Sequence, residues 1–332
     1  MIIAVVLVGA SPDAIAQAVD TTQVQEKSVG DLVETMQQWK IVLLSVSLAL
    51  VIMLLFAGGL LRPGGFAKAG LRDVGSLPSV VWLFAIFVVF LAMSSAPQLV
   101  SKVQWIQDQQ YDETQMQAIN TVATYLFGII AGLGMLFVLK RSTVVDGESK
   151  CGLGLSFLDF PVGLGCFVLA YPFIELMSML GVWVYTQTQS AQPSEIAHGT
   201  LQLLVDEPNN AWVWAIVGAA VIGAPFVEEL IFRVFLQGAL IKWLKSPWLA
   251  IIFSSLIFAG MHRIGGDEHG VPWHALLPIF AVGFTCGIAY ERTKRVGVPI
   301  VMHVCFNALN VLLALMVSDD GSPSAVSLAL FG

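Results

Sequence analysis

The sequence predicts an all-α fold, a polytopic membrane helix bundle of about eight transmembrane helices. Three observations carry that expectation. Charged residues make up 12% of the 332 positions and hydrophobic residues 57%. A soluble domain of this size has about a quarter of its residues charged, so this chain cannot cover its own surface in water and must turn apolar side chains to lipid. Runs approaching the ~20 apolar residues of a spanning helix recur along the whole chain. The lysines and arginines are sorted into alternate connections between those runs.

Taken in order, the candidate spans are 41–61, 79–95, 119–139, 161–185, 211–235, 247–262, 272–290 and 298–318. Most are apolar all the way round, as lipid-bathed or fully buried helices are. Pro225 falls inside the fifth and should kink it or split it in two. Gly128/Gly132 and Gly283/Gly287 are small-xxx-small pairs that let helices approach closely. The connections 62–78, 140–160, 242–246 and 291–297 together carry eleven lysines and arginines, and the alternate side carries four. Basic excess marks the cytoplasmic side, so an even number of spans places both termini outside. Trp82, Trp183, Trp212, Trp214, Trp248 and Trp273 lie near span ends and read as an interface belt.

Four regions follow. Residues 1–40 form an extracytoplasmic N-terminal segment whose start, through Ala14-Ile15-Ala16, either resembles a signal peptide without its basic beginning or is a disordered or interfacial N-terminus. Residues 41–204 hold the first four spans and their loops, residues 205–318 hold the last four, and 319–332 are a C-terminal tail. The polar stretches 20–39 and 188–209 read as external loops. A signal-peptide-like start suits a bacterial cytoplasmic membrane.

Some classes of function drop out. No basic patch with interleaved aromatics supports nucleic acid binding. Cys151, Cys166, Cys286 and Cys305 form no CxxC pair, and in apolar runs Cys behaves as a small hydrophobe. Cys305 stands two residues from His303, a spacing at which helical side chains diverge. There is no GxSxG elbow, and the IGGD at 264–267 lacks the spacing of an aspartyl motif and sits in a loop.

Ionisable residues inside spans carry the functional signal, since each costs at least ~2.5–3.5 kcal/mol at bilayer depth. The segment PFVEELIFRVF contributes Glu228, Glu229 and Arg233; LIFAGMHR contributes Phe258 and His262; VMHVCFNALN contributes His303 and Asn307. Glu229 and Arg233 have the i,i+4 spacing of an ion pair, which leaves Glu228, about 100° round the helix, unmatched by its own segment. His303 and Asn307 share that spacing, so both can address one point. Phe258 precedes His262 by one turn and can wall off the space beside it. A free carboxylate, two imidazoles and a carboxamide converging between helices can activate a water and hold a developing oxyanion. Glu175, in the fourth span, is a further carboxylate that would pair with Arg233 or line the same cavity. His198, His269 and His274, in or beside external loops, read as bystanders.

In this order the motifs resemble those of the CPBP family, the CAAX-prenyl protease and bacteriocin-processing (Abi) intramembrane proteases, whose pattern is EExxxR, FxxxH and HxxxN on separate helices. The resemblance covers about 205–318. It implies peptide hydrolysis in a membrane-enclosed cavity, with membrane lipid around the chain and a peptide or membrane protein as substrate. By the same resemblance Glu228 activates water, His262 helps to position it, and His303 with Asn307 forms the oxyanion hole. Glu229 and Arg233 support them, and no cofactor is expected.

Two alternatives use the same residues. Glu228, His262 and His303 would make a His₂Glu set for Zn²⁺, although no HExxH helix is present. A transporter or immunity-type binding protein would also carry intramembrane carboxylates. One tension is internal to the expected site. At 1.5 Å of rise per residue, Glu228 stands ~21 Å from Lys242, His262 ~25 Å from Lys245 and His303 ~12 Å from Arg295. A kink at Pro225, a tilt, or a basic loop dipping into the bundle would bring them to one level.

Overall fold

The structure, a computed structural model, describes residues 38–62, 64–68, 72, 74, 77–143, 152–189, 199–264 and 271–315. Ser47–Leu315 form one compact unit; of the second unit, built from the chain ends, 38–46 are described. Among the described residues, eight helices are long and apolar enough to cross a membrane. They are α1 (Gln38–Ala57), α2 (Ser79–Val100), α3 (Glu113–Thr143), α4 (Asp159–Gln189), α5 (Ala211–Leu244), α6 (Pro247–Ile264), α7 (Leu276–Thr293) and α8 (Gly297–Ala314). Among the described residues no strand forms; Leu153 and Gly154 make only isolated bridges to Arg295. The protein is a multi-pass membrane protein, all-α as expected. The N-terminal start, the tail 319–332, His198, His269 and Cys151 lie outside the described residues.

Helix α5 is the centre of the bundle. Over half of its apolar window is buried (56%), against 22% for α2, α3 and α4. Those outer helices show Val80, Phe84, Phe87, Ile130, Phe137 and Val168 on their outward faces, as helices bathed in lipid do. Small residues set the closest approaches. A Cβ on Gly128 would meet Met93 and Val227, and one on Gly132 would meet Leu230, so α3 lies hard against α5 at these positions. On α4 a Cβ at Gly181 would run into the backbone carbonyl of His274. Gly181→Ala is therefore expected to cost about 1–3 kcal/mol, read as a lower midpoint of thermal denaturation in detergent; an unchanged midpoint would refute this packing.

Three expectations need correction. Trp82 is not at an interface: it is fully buried, because Gly238 on α5 leaves a hollow into which its ring fits. His274 does not stand at the surface as a place beside an external loop suggests. It is 6% exposed and packs edge-on against the Tyr185 ring at 4.8 Å. Of the two outcomes expected of Pro225, a kink or a split, the split does not occur. α5 stays helical through it to Leu244, with wide π-type turns at Ala219–Gly223 and Leu230–Leu236. A wide turn before the proline relieves the clash its ring makes with the preceding turn.

Part of the basic loop 291–297 packs against protein. Tyr290, Glu291, Val296 and Val298 are buried. The 152–154 segment covers the loop through the bridges to Arg295, and Arg295 pairs with Asp159 at the start of α4. The first turn of α8, Gly297–Ile300, is buried as well.

Candidate active site

Helices α5, α6 and α8 supply the site. Wide turns on both sides of Ala224–Glu229 mark this stretch of α5, and such turns frequently occur at functional sites. The two adjacent glutamates point into different surroundings. Glu229 is fully buried. Its Oε2 accepts from Arg233 Nε at 3.0 Å and its Oε1 from His303 Nδ1 at 3.0 Å. Arg233 also donates to the Ser254 hydroxyl on α6 at 3.3 Å and lies over the Phe258 ring at 5.3 Å. Both oxygens of Glu229 are thereby committed.

Glu228 is the carboxylate left open. Its side chain is 21% exposed, and its Oε2 lies 3.9 Å from His262 Nε2 and 3.8 Å from His303 Nε2. These separations are too long for direct hydrogen bonds and are the kind a water molecule bridges. Each imidazole is oriented through its other nitrogen. His262 Nδ1 lies 2.9 Å from the Phe258 carbonyl, an acceptor, so that nitrogen carries the proton. His303 Nδ1 faces the Glu229 carboxylate and is protonated by the same reasoning. Both rings therefore present Nε2 to one oxygen of Glu228. Phe258 sits between them, with its ring 4.7 Å from that of His262 and 5.6 Å from that of His303.

Asn307 is placed differently from the other three. Its Nδ2 donates to the Ala220 carbonyl at 2.9 Å. In the wide turn, the Ala224 amide bonds to the Ala219 carbonyl. The same register would give Ala220 the amide of residue 225, but a proline has none to give. Asn307 fills that need, and a second Nδ2 proton stays free.

Glu175 is held by Tyr171, one turn earlier on α4, while the hydrogen bonds of Arg233 go to Glu229 and Ser254. Of the two expectations for Glu175, the pair with Arg233 does not form. Among the described residues, no group of three or more His, Cys, Asp and Glu side chains is arranged to hold a metal ion. Two contributors escaped sequence reasoning. Ser254 has a legible signal, standing four residues before Phe258 and eight before His262, so one face of α6 carries all three. Tyr125 on α3 packs on Gly223 and lies in the field of Glu228; a lone tyrosine in an apolar run gives no warning of that.

Comparison with known proteins bears on the same stretch. The family model described as "Type II CAAX prenyl endopeptidase Rce1-like" matches residues 210–309, which include every residue of the three motifs. A Bacillus subtilis (strain 168) protein named "Putative membrane peptidase YdiL" is 30% identical over 234 residues, 69% of this chain and 86% of its own length. The "Membrane-embedded CAAX protease MroQ" of Staphylococcus aureus (strain USA300) is 33% identical over 242 residues, 70% of this chain and 89% of its own length. No solved structure matches the chain.

Proposed function

The chain belongs to the CPBP family of CAAX-type membrane proteases, and from that premise we propose that it cleaves peptide bonds with a water activated by Glu228. The observation that supports this assignment is the convergence of two imidazole Nε2 atoms on Glu228 Oε2, at 3.9 and 3.8 Å, while Glu229 is closed off. As general base, Glu228 takes a proton from a water held between it and His262, and the hydroxide attacks the scissile carbonyl. The oxyanion that develops needs donors already in place. Asn307 offers its free amide proton. His303 donates from Nε2 only when both ring nitrogens are protonated, because the Nδ1 proton is committed to Glu229. In that form Glu228, Glu229, Arg233 and His303 sum to zero charge, which lowers the cost of holding them among apolar helices. The proton taken by Glu228 then passes to the leaving amine.

The substrate in this reading is a peptide or membrane-protein segment admitted from the bilayer. The basic connections face the cytoplasm and both termini lie outside, in a bacterial cytoplasmic membrane. Comparing membrane-proteome fragments from cells expressing wild type and Glu228→Gln tests the reading. Fragments present only with wild type are expected. None at all, with altered transport or partner binding instead, would favour a non-catalytic membrane protein.

A zinc reading draws on the same atoms. Both rings tie Nδ1 to a neighbour and aim Nε2 at Glu228, the orientation metal-bound histidines take. Among the described residues the side chains do not make a ligand set as they stand. Elemental analysis of the purified chain is expected to find zinc well below one atom per chain, with activity surviving a chelator. Stoichiometric zinc whose removal abolishes cleavage would transfer the role of Glu228 from base to ligand.

A further inference from the structure

Buried polar groups continue from Arg233 away from the catalytic cluster, toward the basic end of the bundle. Gln237, one turn beyond Arg233 on α5, is fully buried. Its Nε2 donates to Glu291 Oε1 at 2.8 Å and toward the Gly287 carbonyl at 3.3 Å. Two acceptors on that side fix the amide orientation and leave Oε1 to accept from the Ser254 hydroxyl at 3.4 Å. Ser254 shares its proton with the Ile251 carbonyl at 3.1 Å and accepts from Arg233. At the far end, Glu291 takes Arg72 Nε at 3.0 Å. The Arg72 guanidinium also reaches the Tyr290 hydroxyl at 3.4 Å and lies over its ring at 4.5 Å. Arg72 and Glu291 are 3% and 4% exposed. The bonds run without a break from the 62–78 connection, across α7, α5 and α6, to Glu229 and His303.

Stability alone explains this arrangement poorly. Well-packed apolar residues of similar volume are often as stable as a buried ion pair, or more so. A continuous polar chain fixes orientation, even though Arg233 Nη2 is buried without a hydrogen-bond partner among the described residues. α7 is hollowed to admit it: a Cβ at Gly287 would meet Gln237 Oε1 at 2.9 Å, and one at Gly283 would meet Arg233 Nη2 at 3.1 Å. The Gly283/Gly287 pair thus makes room for polar side chains as well as for helix packing.

We propose that Gln237 is a positioning residue for the hydrolysis. It ties the Arg72–Glu291 ion pair to Ser254 and Arg233, and so holds Glu229 in the orientation that presents His303 Nε2 to Glu228. This rests on the reading of Glu228 and His303 given above. Gln237 itself touches neither water nor substrate; it acts through Arg233 and Glu229. Because the relay begins at the 62–78 connection, anything that displaces Arg72 reaches the active site by the same route.

The experiment uses the full chain in detergent and a synthetic peptide spanning a cleavage site mapped by the Glu228-dependent fragment comparison. Measured are kcat and KM for wild type, Gln237→Met, Glu291→Gln, their double variant and Glu228→Gln. Each single relay variant is expected to lower kcat about tenfold with KM within about twofold, and the double to fall no further than the weaker single. Wild-type kcat in either folded single variant, or losses that multiply in the double, overturns the relay. Should either variant not fold, Ser254→Ala decides alone, since it removes the hydroxyl that joins Gln237 Oε1 to Arg233 and leaves both buried ion pairs intact. An inactive Glu228→Gln beside a fully active Gln237→Met sinks the relay and leaves the site standing. An active Glu228→Gln, or no Glu228-dependent fragment at all, sinks the site reading and the relay with it.

Discussion

Glu228→Gln is expected to lower kcat by about 10²–10⁴-fold, the usual contribution of a positioned general base, while the protein stays folded. Gln keeps the shape of the side chain and removes only the basicity. Among the described residues Glu228 has no direct hydrogen bond to lose, since its nearest imidazoles stand 3.8 and 3.9 Å away, so its loss should leave packing intact. KM should change little, because the carboxylate acts on water and need not hold the peptide. Kinetics and thermal denaturation on the same detergent preparation check both halves. Turnover within a few-fold of wild type would remove Glu228 from the chemistry. A preparation that fails to fold would instead place it among the structural residues. Glu229→Gln should behave in the opposite way. It leaves Arg233 short of its carboxylate in a fully buried position and so should damage folding first.

That contrast was partly legible in the sequence. The i,i+4 spacing of Glu229 and Arg233 marked a pair and singled out Glu228 as the unmatched carboxylate, and the eight spans followed from apolar length alone. The expected ends erred where side chains pack inside the bundle. α5 runs on to Leu244 because residues 230–235 are buried on every side, and apolar length cannot separate a lipid-facing surface from a protein-facing one. Trp82 was misplaced for the same reason, since its burial depends on Gly238 of a distant helix. Glu291 and Val296, in the basic loop, are buried by tertiary contacts with no local signal. Asn307 shows the limit most plainly. Its bond to Ala220 follows from a wide turn before Pro225, and a sequence shows the proline without the turn.

Arg233→Met is expected to destabilise the chain by about 3–5 kcal/mol, the range for removing one partner of a buried ion pair. Arg233 and Glu229 are both fully buried, so neither water nor mobile ions can screen the charge left behind. The guanidinium also holds Ser254 and stacks on Phe258, so its loss loosens α5 from α6. Arg233→Lys should fall between, because an ammonium is a point charge without the planar fork that reaches Glu229 and Ser254 together. The decisive comparison is the double variant Glu229→Gln/Arg233→Met. With no charge stranded, it should recover much of the lost stability, a strong positive coupling between neighbours. It should nonetheless stay far less active than wild type, because His303 has lost the carboxylate that fixes its Nδ1 proton. Denaturation in detergent, followed by the fluorescence of the nine tryptophans, reads stability; peptide turnover on the same samples reads activity. If Arg233→Met alone melts like wild type, the pair does not hold the helices together. If the double variant regains full activity along with its stability, Glu229 does not orient His303, and the ordering of the site must come from elsewhere.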